Sequence, residues 1–126
     1  MKTVLILIPL LWELHAAGND GFGSTSGLAS WYGEAHRGKP MANGQPFDPD
    51  RLTAASWFYP LGTAVRVSLA SEPRRSVVVT VTDRGPARRL VRAGRVIDLS
   101  HAAFSQLADP DVGLVEVNVV GTKGKR

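Results

Sequence analysis

The sequence predicts a mainly β domain folded as a small closed barrel, and three observations predict it. Short runs of β-branched residues recur along the chain. Turn-forming Gly, Pro, Asn and Asp punctuate them. Only one short segment reads as a helix. One hundred and twenty-six residues with a 44% hydrophobic fraction suit one domain with an ordinary core. Several short strands that cannot each bury two faces alone are best satisfied by closing on themselves.

The elements follow in chain order. Residues 28–32 form a short strand ending at Gly33. Residues 34–49 are rich in Gly, Pro and Asn and read as a long ordered loop, a feature that in compact domains tends to carry function. Asp48 and Pro49 have the types of a cap and a first helical position, so a helical turn is expected there. Residues 63–69 alternate, with Val65, Val67 and Leu69 on one face and Arg66 and Ser68 on the other. Glu72-Pro73-Arg74-Arg75 is a turn. Residues 76–82 read as a strand with apolar residues on both faces, as in a buried sheet. A basic loop then leads to a strand at 95–99, and Ser100 caps a brief helix at 101–108. Residues 113–120 alternate again through Val115, Val117 and Val119.

The ends differ from this pattern. Met1-Lys2 and the apolar run at residues 3–12, followed by Ala16-Ala17-Gly18, have the form of a signal peptide over residues 1–17. The run is too short to span a bilayer as a helix, so no stable membrane insertion is expected after cleavage. A flexible linker at 18–26, the barrel at 27–120 and a basic disordered tail at 121–126 complete the expected organisation. An exported protein, periplasmic or secreted, is therefore expected. Cysteine is absent, which excludes disulfides, thiol catalysis, zinc–thiolate sites and a lipoprotein anchor.

The formal net charge is +4, and losing residues 1–17 removes one Lys and one Glu without changing it. Most of the positive charge is on arginine, and Arg74, Arg75, Arg84, Arg88, Arg89, Arg92 and Arg95 lie within one short span. Such a run is commonly a solvated face. An export signal argues against nucleic acid, and anionic wall polymers suit the compartment better. Neither His36 nor His101 has carboxylate or histidine neighbours at ligand spacing, so no metal and no cofactor is expected.

Two acids stand out. Asp83 and Asp98 each follow a β-branched run, where a rigid strand end can present a side chain to a groove. Asp83 also has the position of a turn cap before Arg84-Gly85-Pro86, and Asp98 that of a tie at the helix entry. Held close together, two carboxylates would raise one pKa and create a usable acid. Glu34 reads as a solvated loop acid. Trp31 and Tyr32 suit either core packing or sugar stacking, whereas Trp57, Phe58 and Tyr59, in a loop, suit stacking.

Seven motifs occur in one order: Ala29-Ser30-Trp31-Tyr32-Gly33, Ala42-Asn43-Gly44, Leu52-Thr53-Ala54-Ala55, Pro60-Leu61-Gly62-Thr63, Val77-Val78-Val79, Asp83-Arg84-Gly85-Pro86 and Ile97-Asp98-Leu99-Ser100. Together they resemble the double-psi β-barrel domain of the rare lipoprotein A family of septal-ring lytic transglycosylases. The resemblance covers residues 27–120. It implies a six-stranded double-psi β-barrel with one or two short helices and a groove for peptidoglycan glycan strands. It further implies a monomer whose lytic reaction leaves 1,6-anhydromuramyl ends and uses one carboxyl group as acid and then base.

The resemblance assigns the acid/base role to Asp83, with Asp98 as a second candidate, as it is in related expansin-like barrels. Tyr32, Asn43, Gln45, Ser56, Trp57 and Arg84 are the candidate substrate-binding residues. The family typically has Glu and His where this chain has Gln45 and Ser56, neither of which exchanges a proton near neutral pH. A non-catalytic, expansin-like peptidoglycan-binding or wall-loosening module is therefore the alternative to the enzyme. A secreted inhibitor-type barrel is a third class that the same fold serves.

Overall fold

A computed structural model describes residues 23–122. The expected signal peptide, residues 18–22 of the expected linker and residues 123–126 of the expected tail lie outside the described residues.

Six strands, β1 (Ser24–Tyr32), β2 (Thr53–Ala55), β3 (Ala64–Leu69), β4 (Ser76–Asp83), β5 (Arg95–Ser100) and β6 (Val115–Gly121), close a barrel in the order β1-β5-β2-β4-β3-β6. Two short helices accompany them: α1 (Arg88–Arg92), between β4 and β5, and α2 (His101–Ser105), directly after β5. β1 runs parallel to β5 and β2 parallel to β4; the other neighbours are antiparallel. Among the described residues no helix is long and apolar enough to cross a membrane.

The alternating valines behave as their spacing predicts. Val65, Val67, Val77, Val79, Val81, Val117 and Val119 point inward and form one core with Ile97, Leu99 and Phe104. Ser100 caps α2, its hydroxyl accepting from the Ala103 N–H at 3.2 Å. Phe104 and Leu107 from this segment join the core, although the helix ends at Ser105 rather than at 108.

Several expectations need correction. β1 starts at Ser24, so residues 24–26 belong to the barrel rather than to a linker, because β6 pairs with them through Val120, Val119 and Asn118. At the other end Gly121 pairs with Val65, and the Thr122 N–H donates to the Ala64 carbonyl at 2.9 Å. Val78 is 41% exposed: a closed barrel buries only its inner face, so β4 is not apolar-covered on both sides. Asp48 accepts from the Asp50 N–H at 2.9 Å in a tight turn, not at the start of a helix. The last strand starts at Val115, after a 3-10 turn at Pro110–Val112.

The basic loop holds a helix. α1 begins after Ala87 with no side-chain cap, and Gly94 (φ 106°) takes a backbone conformation costly for other residues. That reversal ends the helix and aims the chain into β5.

Candidate functional site

β2 is only three residues long, yet it sets the geometry of the site. Ala55 pairs with Asp83 of β4 on one side and with Asp98 of β5 on the other. The two acids thus stand two strand spacings apart, about 10 Å between backbones. A register shift between Ala54 and Ala55 brings Asp83 opposite Ala55. Both acids line one open groove of about 510 Å³, together with Ser30, Tyr32, His36 and Arg95.

The acids are held differently. Asp83 Oδ1 accepts from the Ala42 N–H at 2.8 Å and the Arg84 N–H at 2.9 Å. It therefore caps its own turn and also fastens the loop at 41–46 to the barrel. Asp98 accepts a hydrogen bond from the Ser30 hydroxyl. Burial pushes the Asp98 carboxyl above the ordinary Asp range; the Ser30 bond and the Arg95 charge pull it back, Asp83 pushes it up, and His36 pulls it down. Burial is the largest of these effects. Gly85 packs over this carboxyl: a Cβ there would stand 3.3 Å from both Asp98 Oδ2 and Ala55 Cβ.

Tyr32 lies flat on Phe47, ring centroids 4.4 Å apart, with His36 edge-on at 5.6 Å. Its hydroxyl is buried with no hydrogen-bond partner among the described residues. Burial, then Asp83 and Asp98, push its pKa up, so the phenol keeps its proton.

Of the remaining substrate-binding candidates, Arg84 alone also lines this groove. Asn43 and Gln45 line a neighbouring depression of about 320 Å³ with Asp48, Arg51 and Thr53, and Asn43 Oδ1 accepts from the Gln45 N–H at 2.9 Å. Ser56 is 1% exposed and its hydroxyl accepts from the Phe58 N–H at 3.0 Å; it is a turn-forming residue beneath the surface, out of a glycan's reach. Arg84 lines the groove, but its Nη1 donates to the Ser56 and Tyr59 carbonyls, each at 2.7 Å. Trp57 is 40% exposed, with its indole N–H on the Pro86 carbonyl at 2.6 Å and the Arg88 guanidinium 4.3 Å from the ring centroid. Phe58 is exposed, whereas Tyr59 belongs to the core.

Sequence reasoning missed Ser30 and Arg95 as groove residues and left His36 without a role. The β1–β5 register pairs Ser30 with Asp98, and no local pattern announces a pairing across 68 residues. Among the described residues no three His, Cys, Asp or Glu side chains gather as metal ligands.

The family model described as lytic transglycolase, a double-psi β-barrel family, matches residues 24–119. The chain belongs to this family. Its barrel is 50% identical over 84 residues to the endolytic peptidoglycan transglycosylase RlpA of Yersinia pestis, a match covering 67% of this chain and 22% of that protein. The chain thus matches less than a quarter of that relative's length. Among solved structures, the Streptomyces papain inhibitor superposes with a TM-score of 0.59 at 28% identity, covering 79% of this chain and 94% of the inhibitor. The Clavibacter michiganensis expansin superposes with a TM-score of 0.61 at 25% identity, covering 82% of this chain and 52% of the expansin. The fold is therefore shared by proteins named for an enzyme, an inhibitor and an expansin, and function has to be argued from the groove.

Proposed function

We propose that this domain is an endolytic peptidoglycan lytic transglycosylase, working on glycan strands outside the cytoplasmic membrane as an exported monomer. The observation that carries the reading is a partly buried carboxyl, Asp98, on the wall of an open groove, with a pKa pushed upward by that burial. A carboxyl pushed in this direction holds its proton to higher pH than an ordinary Asp, which is the shift a general acid needs. The sequence motifs favour Asp83 for this role; desolvation favours Asp98.

In this reading Asp98 gives its proton to the glycosidic oxygen as the C1–O bond breaks. The muramyl C6 hydroxyl oxygen then bonds to C1, and its proton returns to the Asp98 carboxylate. The proton count closes, no water is consumed, and the product is a 1,6-anhydro sugar. Asp83, fixed by two backbone N–H groups, stands across Ala55 and stabilises positive charge developing on the sugar ring. Tyr32 lines the groove beside the two acids. No step uses a metal or an organic cofactor.

Mass spectrometry of peptide-free peptidoglycan strands incubated with the protein tests this. The expected result is 1,6-anhydromuramyl ends from the wild type, reduced at least about a hundredfold by Asp98→Asn. A second reading, glycan binding without cleavage, is favoured by one specific feature: Gln45 and buried Ser56 supply no further proton-exchanging group. No anhydro product from wild type that still sediments with sacculi would establish that second reading.

A further inference from the structure

Residues 84–95 connect the two acids, and the segment begins and ends at the groove, which Arg84 and Arg95 both line. Between them come Arg88, Arg89 and Arg92, so this stretch holds five arginines and no Asp or Glu. Burial does not account for it: no residue of α1 is buried and no side chain caps the helix. Charge pairing does not account for it either, since the ion pairs found among the described residues all belong to Arg37. Arg88, Arg89 and Arg92 are exposed, and Arg88 is pre-positioned over the Trp57 ring, itself anchored to Pro86.

Like charges kept this close repel one another, and the concentrated positive field attracts a polyanion. Guanidinium groups pair well with carboxylates because their planar forks match. Each muramyl residue of a glycan strand has a lactyl carboxyl group, either free or extended by a peptide that bears carboxylates of its own. A strand seated between Asp83 and Asp98 therefore carries negative charge past this segment.

We propose that the α1 crossover is a docking surface for the anionic groups of the wall polymer, with Arg88, Arg89 and Arg92 pairing with carboxylates of the strand that the groove holds. The inference rests on reading the groove as a peptidoglycan site. It predicts binding with a neutral, groove-borne part and a separate, salt-sensitive part borne by α1.

Co-sedimentation separates the two parts, using peptidoglycan sacculi as the anionic polymer and chitin as a neutral N-acetylated glycan, at low and high salt. The full chain is compared with the triple variant Arg88→Gln, Arg89→Gln, Arg92→Gln. A double variant, Arg74→Gln and Arg75→Gln, removes charge from the turn at the opposite end of β4. The triple variant is expected to bind sacculi roughly five- to tenfold more weakly at low salt, to bind chitin as the wild type does, and to keep its melting temperature. The double variant is expected to bind sacculi within about twofold of wild type. Equal loss on sacculi and chitin, an unchanged triple variant, or an equal loss in the double variant overturns the proposal. So does wild-type binding to phosphatidylglycerol vesicles as strong as to sacculi, which makes the surface a general polyanion binder. Wild type that binds neither sacculi nor chitin overturns the reading of the groove itself, and this proposal with it.

Discussion

Glu34, Asp48 and Asp50 gather round Arg37 on the loop after β1, whereas Asp83 and Asp98 flank Ala55 on the barrel wall. The loop acids are exposed and share a cation, and the Arg37 guanidinium holds the Glu34 carboxyl below the ordinary Glu range. The Arg95 charge acts on Asp98, but neither groove acid forms an ion pair within 4 Å among the described residues. Burial instead moves Asp98 the other way. A count of carboxylates would rank the loop first. What separates the two is water and a partner charge: a solvated, paired acid holds structure, and a desolvated, unpaired one stores a proton.

The comparison breaks most clearly at Asp98. Asp98→Asn keeps the shape and removes the proton donor, so cleavage of glycan strands, followed by anhydro-product yield, should fall at least about a hundredfold. Its stability should move in the opposite direction. Because the folded-state pKa of Asp98 is raised, the stability it contributes is full below the ordinary Asp range and is lost as pH rises through the raised value. Thermal melts across acidic to neutral pH should therefore show wild type losing more stability over that window than Asp98→Asn.

A smaller effect is expected at Gly85. Ala at this position puts a methyl group 3.3 Å from Asp98 Oδ2 and from Ala55 Cβ. The carboxyl and Ala55 must give by a few tenths of an ångström, and cleavage should drop about tenfold with a modest loss in melting temperature. An unchanged rate would mean that the orientation of Asp98 does not matter. Smallest of all is Arg37→Gln, which dissolves the loop's ion pairs. Exposed pairs of this kind contribute less than about 1 kcal/mol, so denaturant unfolding should barely shift and cleavage should stay as in wild type.

Much of the barrel was legible because its inner face is written in alternating valines, as at Val65 and Val67 or Val117 and Val119. β2 was not, since it is three residues long and two of them, Ala54 and Ala55, are poor strand formers. They are strand because β4 and β5 bond to them from both sides. α1 escaped for the same kind of reason, having neither a capping side chain nor a buried stripe. At the site, the two acids were legible as strand-end residues. Their ranking was not, because it depends on Ser30 arriving from β1 and on Gly85 closing over the carboxyl. Ser56 and Arg84 looked like binding groups by type, and the Ser56 hydroxyl and Arg84 Nη1 turn out to be spent on the 56–59 turn.

The most direct test of the central claim is a pH titration of individual side-chain carboxyl carbons by NMR. Asp98 is predicted to titrate above the ordinary Asp range while Glu34, in the same sample, titrates below the ordinary Glu range. Asp98 titrating at or below the ordinary Asp value would contradict the account, for the groove would then hold no carboxyl poised to give up a proton.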